Sequence, residues 1–162
     1  MDWNDLNTGL DAVGFARRRL GFEPDRLQAE VLRSRAKLLL LNCSRQWDKS
    51  TVSAIAALHR AWFRRGSLVV VTGPSERQAA EFVRKVRDFA ALLDVKPRGD
   101  GQNKSIVLPN GSRIVGVPSK QSTVRGFSGA SLLIIDEAAH ARDDLYLRCG
   151  RCWRRRAGTC GV

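Results

Sequence analysis

A chain of 162 residues, 43% hydrophobic and with a formal net charge of +12, is about the size of one soluble domain and can bury a real core. No apolar run approaches the roughly 20 residues that span a bilayer; the longest tight one is Leu38-Leu39-Leu40-Leu41. The polar, acidic start Met1-Asp2-Trp3-Asn4-Asp5 lacks the basic head and apolar centre of a secretion signal, so no membrane and a cytoplasmic location are expected.

In chain order, Asp5 to Leu20 reads as a helix with Ala12, Phe15 and Leu20 toward one side, broken by Gly21. Pro24 and Asp25 open a second helix that runs to about Arg35. Residues 36–42, an apolar run ending in a polar loop, predict a short strand. A helix from Lys49 to about Arg64 carries Val52, Ile55, Ala56, Leu58, Ala61 and Trp62 at helical spacing and stops at Gly66. Residues 67–72 are a β-branched run closed by Gly73-Pro74, a buried strand. Ser75 caps the next helix, with Phe82, Val83, Val86, Phe89 and Leu92 on its apolar side.

Residues 98–104, rich in Gly, Asp and Asn, read as loop. Two apolar runs, 105–108 and 112–117, flank Pro109-Asn110-Gly111 and predict a hairpin. Residues 131–135 form another buried strand, closed by Asp136-Glu137. Strands alternating with helices, several of the strands continuously apolar, argue an α/β fold whose mostly parallel sheet is covered on both faces.

The tail changes composition. Residues 147–162 hold Arg148, Arg151, Arg154, Arg155 and Arg156 and no acid, and leave the rest of the chain at +7. That remainder suits a phosphate-backbone partner, although a merely soluble basic surface gives the same count. Cys149, Cys152 and Cys160 crowd the tail while Cys43 stands in the body, which is not a disulfide framework. Cys149-x-x-Cys152 is half of a zinc site at most, with no histidine at a local ligand spacing.

Two strand ends carry the chemistry. A phosphate-binding loop needs backbone amides around the phosphates with a helix N-terminus behind them. It also needs a lysine for the β/γ-phosphates and a hydroxyl for magnesium. In Cys43-Ser44-Arg45-Gln46-Trp47-Asp48-Lys49-Ser50-Thr51, Lys49 and Ser50 are placed for these roles, but Cys43 and Asp48 stand where the regular pattern has glycines. On that pattern the stretch reads equally as an ordinary polar loop. At the end of the last strand, Asp136 would hold magnesium through water and Glu137 would polarise the attacking water. The adjacent carboxylates also suit a helix cap.

Together these segments resemble the N-terminal ATPase domain of large terminase subunits of tailed phages. Ser44-Arg45-Gln46-Trp47-x-Lys49-Ser50 resembles their variant phosphate loop, and Phe22-Glu23-Pro24-Asp25-x-x-Gln28 their adenine-recognising glutamine segment. Gly73-Pro74-Ser75-Glu76-Arg77-Gln78 resembles the strand-to-helix turn that follows. Thr123-Val124-Arg125-Gly126-Phe127-Ser128, with Leu132 to His140, resembles the approach to their Walker B strand.

The resemblance implies a RecA-like P-loop ATPase core that uses ATP and Mg2+ to move double-stranded DNA into a procapsid within a bacterial host cell. Its implied partners are a portal protein, a small terminase subunit and further copies in a ring. Gln28 would contact adenine, and Ser44, Arg45, Gln46, Lys49, Ser50 and Thr51 would hold the phosphates. Ser50 and Asp136 would hold magnesium, with Glu137 as catalytic carboxylate. Arg45 would sense the γ-phosphate, and Arg125 would reach a neighbouring subunit's nucleotide.

The sequence departs from the family in three places. Leu27 stands where a tryptophan is common. Asp48 replaces a glycine that the family keeps; a carboxylate about 5 Å from a phosphate charge, at an effective dielectric of about 20, costs roughly 3 kcal/mol per charge pair. The coupling motif and nuclease domain that follow in the family have no counterpart in these residues.

The expected organisation is a helical segment over 1–35, a partial ATPase core over 36–146 and an unrelated, poorly packed tail over 147–162. Read two bases out of frame with GC-rich codons, the tail permits A-L-R-P-M-L-A-T-S-G-G-H-L-W-G, which resembles the family's continuation. A frameshifted, truncated prophage gene of impaired activity is the expectation. The competing readings are a helicase-like DNA translocase and a non-enzymatic DNA-binding or inert remnant.

Overall fold

The computed structural model describes residues 8–44, 47–99, 102, 104–118, 127 and 129–138. Helix α1 (Ala12–Leu20) starts where the Asp11 carboxylate accepts the Val13 and Gly14 amides, and ends at Gly21, whose φ of 63° closes the helix in the left-handed region. A helical turn at 8–10 precedes it. Helix α2 (Arg26–Arg33) opens on a capping box: Asp25 accepts the Gln28 amide, and the Gln28 side chain accepts the Asp25 amide. Helix α3 (Lys49–Phe63) buries Val52, Ala54, Ile55, Ala57, Leu58 and Ala61.

Strand β1 (Leu68–Gly73) leads through Ser75, which caps as expected, into helix α4 (Glu76–Ala91). Strands β2 (Arg98–Gly99), β3 (Ser105–Val107), β4 (Arg113–Pro118) and β5 (Leu132–Ile135) complete one sheet of order β2-β3-β4-β1-β5. The centre is parallel, with β4 and β5 on either side of β1, and β3 and β2 add on antiparallel. The hairpin at 105–117 forms around Pro109-Asn110-Gly111, where the Gly111 amide donates to the Leu108 carbonyl at 2.9 Å.

The main core lies between the sheet and the helices. Val69, Val71, Ile106 and Ile114 meet Phe15, Val52, Ile55, Leu58, Phe82, Val83 and Val86, all nearly or fully buried. Complete burial of a Val, Leu, Ile or Phe side chain is worth about 1.5–3 kcal/mol. Gly116 lets α4 approach, since a Cβ there would sit 2.8 Å from the Ala79 carbonyl oxygen. The alternate strand positions Val70, Val115 and Val117 form a smaller cluster on the other face, with Leu68, Leu133 and Ile135.

Two expectations fail. Residues 36–42 form no strand, and Leu38 and Leu40 are 89% and 81% exposed. A strand exists by pairing, and this run pairs with none of the described strands. Its four leucines also lack the β-branched character of β1 and β4. Arg98–Gly99, expected as loop, instead pairs with Ile106–Val107 as the edge of the sheet. The tail 147–162 lies outside the described residues.

Candidate phosphate-binding site

The orientation of α3 follows from how its C-terminus is tied. Asn110 Nδ2 donates to the carbonyls of Ala61 and Trp62, both at 2.8 Å, and Ser112 Oγ donates to Arg64 O at 2.9 Å. These contacts hold the end of α3 beside the start of β4. Fifteen residues of helix extend about 22 Å, comparable to the length of a six-residue strand. The first turn of α3 therefore lies toward the C-terminal ends of β1, β4 and β5, where α/β folds bind ligands. Asp136 is at the same end: its amide donates to Thr72 O at 2.8 Å, just past β5.

At that first turn, Asp48 sits at φ 56°, ψ 35°, the left-handed region, and its carboxylate makes no capping bond. The starts of α1, α2 and α4 each have a side-chain cap, from Asp11, Asp25 and Ser75. Lys49 folds back so that Nζ donates to the Cys43 carbonyl at 3.3 Å. Its ammonium is thus held over the loop by an acceptor that a phosphate can displace. Ser44 is exposed, and Ser50 and Thr51 are half-buried in the first turn. Arg45, Gln46 and Arg125 lie outside the described residues.

Gln28 is brought to the loop from another helix. It is 8% exposed, and its Nε2 donates to the Trp47 carbonyl at 3.2 Å. Glu137 takes φ 50°, and its amide donates to Asp136 Oδ1 at 3.1 Å. Asp136 is half-buried and Glu137 exposed. Among the described residues no three His, Cys, Asp or Glu side chains gather as a metal cluster. A magnesium ion shared between phosphates, one hydroxyl and one carboxylate needs no such cluster.

One residue at the site was not foreseen. Lys85, from the middle of α4, donates to Thr51 Oγ1 at 3.1 Å. It adds a second ammonium beside the first turn of α3. Nothing in local sequence announces it, because the approach comes from the packing of α3 on α4. Two buried polar atoms at this end, Trp47 Nε1 and the Thr72 hydroxyl, have no hydrogen-bond partner.

The fold has counterparts among known proteins. The solved ATPase domain of the large terminase of Thermus phage P74-26 superposes with a TM-score of 0.75 at 21% identity, covering 89% of this chain and 65% of that one. An arginine-to-alanine mutant of the same domain gives the same values. The chain thus spans just under two thirds of the length of the domain it matches, and shares its fold. No curated protein matches. No helix among the described residues is long and apolar enough to cross a membrane. The sequence pattern of the N-terminal region of T4likevirus-type terminase large subunits matches residues 40–161, most of the chain, and the chain belongs to that family.

Proposed function

We propose that this chain is the ATP-hydrolysing module of a motor that packages double-stranded DNA into a procapsid, and that Asp48 impairs it. The observation carrying the reading is the first turn of α3: an uncapped helix N-terminus at the C-terminal end of a parallel sheet, with Lys49 over the loop and Asp136 closing β5. A helix N-terminus offers amide donors and a positive dipole end to an anion. In this reading Lys49 would leave Cys43 O for the β/γ-phosphates, Ser44, Gln46 and Thr51 would help to hold the phosphates, and Arg45 would report on the γ-phosphate.

The hydroxyl of Ser50 and the carboxylate of Asp136 are the donors that would hold magnesium. When bound, the ion neutralises charge on the phosphate oxygens during transfer. Glu137 orients the attacking water, and Arg125 reaches the nucleotide of an adjacent copy. Family membership supports a ring of copies on a portal protein, fed by a small terminase subunit.

Asp48 acts against this function in two ways. Its charge opposes phosphate, and its left-handed backbone is one that glycine adopts without cost. Titration of the native chain and of Asp48→Gly with a fluorescent ATP analogue in magnesium tests both points. We expect affinity to rise at least tenfold in the glycine form, with turnover recovering less. Equal, tight binding by the native chain would show that the loop accommodates the carboxylate. Absence of binding in both forms would defeat the nucleotide reading.

A further inference from the structure

Gln28, to which the family resemblance assigns the base, is tied by its own amide to both α2 and the loop. Its carboxamide has two acceptor and two donor sites, and the structure commits one of each. Oε1 accepts the Asp25 amide at 3.0 Å, completing the cap of α2, while Nε2 donates to the Trp47 carbonyl at 3.2 Å. The Asp25 bond determines which end of the amide faces the loop, so the amide cannot flip without losing both contacts.

The Trp47 carbonyl belongs to the peptide unit that also carries the Asp48 N–H. In a trans peptide the C=O and N–H point in opposite directions. Holding the carbonyl toward α2 therefore aims the Asp48 N–H away from α2. A phosphate loop binds through such N–H groups, and a flipped peptide would turn an oxygen onto the anion instead. The Trp47 ring packs against the main core, but among the described residues no other hydrogen bond reaches the peptide between Trp47 and Asp48. The Trp47 amide reaches Ser44 O at 3.4 Å, its buried indole N–H has no partner, and Asp48 follows in a left-handed conformation.

We infer that Gln28 is a positioning residue for the phosphate loop, acting through the Trp47 carbonyl, so that affinity for a bare polyphosphate depends on it even when no base is present. The inference rests on the loop binding phosphate, as proposed above. It adds that the α2 cap and the loop are one mechanical unit, in which any ligand that draws on the Gln28 amide alters the loop.

Gln28→Glu isolates the contact. A glutamate at this helix position caps as well as glutamine, but it has no N–H for Trp47 and its carboxylate repels the carbonyl. The first measurement needs no ligand: amide hydrogen exchange over residues 43–52 of the native chain and of Gln28→Glu. We expect severalfold faster exchange at 47–51 with α2 still protected. Unchanged exchange would overturn the inference, whatever the loop binds.

The second measurement is made in the Asp48→Gly background, with magnesium tripolyphosphate and magnesium ATP as probes. Gln28→Glu should weaken both by about three- to tenfold, the effect of one hydrogen bond. Loss of ATP affinity with tripolyphosphate affinity intact would assign Gln28 to the base alone and overturn its role in the loop. If the Asp48→Gly chain binds neither probe, the nucleotide reading fails, and hydrogen exchange still decides whether Gln28 positions the loop.

Discussion

The two ends of the sheet are built on opposite terms. At the N-terminal ends of β1 and β4, Ser67 and Ser112 are 3% and 0% exposed and their polar groups are satisfied. Ser112 Oγ accepts the Ser67 amide at 3.1 Å and donates to Arg64 O at 2.9 Å, while Asn110 closes the last turn of α3. At the C-terminal ends, Asp48 caps nothing and holds a left-handed backbone, Lys49 rests on a carbonyl, and Trp47 Nε1 and the Thr72 hydroxyl are buried without partners. Leaving a buried polar group unpaired costs about 1–3 kcal/mol. Of these named groups, the serines and Asn110 at the N-terminal end are fully paired, whereas Trp47 Nε1 and the Thr72 hydroxyl at the C-terminal end are not.

The largest effect should come from breaking the satisfied end. Asn110→Ala removes the two bonds to the α3 carbonyls and the one that its Oδ1 accepts from the Ser112 amide. At about 1 kcal/mol each this costs roughly 2–3 kcal/mol, or about 5–10 °C in Tm for a chain of this size. Thermal melting by circular dichroism reads it directly, and an unchanged Tm would dissolve the contrast between the two ends.

Asp48→Gly acts at the other end and in the other direction. Relief of a left-handed L-residue should raise stability by about 0.5–1 kcal/mol, a Tm gain of a few degrees. A lowered Tm would show that the carboxylate has a stabilising partner. Lys49→Met should change stability by less than about 0.5 kcal/mol, since its ammonium contributes one partly exposed bond. In the Asp48→Gly background it should abolish binding of the ATP analogue. A marked loss of stability would make Lys49 structural.

The smallest effect is a pH dependence at the α1–α3 contact. His59 packs on Phe15 and Phe63, and a ring nitrogen lies 3.0 Å from Thr8 O. Burial lowers its pKa, outweighing the opposing contribution of the Thr8 carbonyl. Because the folded value lies below the ordinary 6.5, the unfolded chain binds more protons as pH falls through that range. The stabilisation is complete above about 6.5 and lost progressively below it. Tm measured from pH 7.5 to 5.5 should fall, and His59→Gln should flatten that slope.

Much of the fold was legible because local chemistry and tertiary context agree. Asp25 and Ser75 cap their helices, Gly21 ends α1, Pro109-Asn110-Gly111 turns the hairpin, and the Val- and Ile-rich runs became β1, β4 and β5. Residues 36–42 show the opposite case: their apolar character suggests a strand, but a strand also needs a pairing partner, which local sequence does not encode. Lys49, Ser50 and Asp136, which the motif singles out, lie toward the same end of the sheet. The positive φ of Asp48 was foreshadowed by its place where the pattern requires glycine.

What the sequence determined by itself is therefore the set of helices with their caps, the apolar strand runs and the residue types at two strand ends. Each depends on neighbours within a few positions. Only the tertiary structure decided that Gln28 holds Trp47, that Lys85 reaches Thr51, and that Asn110 closes α3. Those contacts join residues 19, 34 and 49 positions apart. Their existence depends on how helices pack across a sheet, and no local pattern of side chains encodes that.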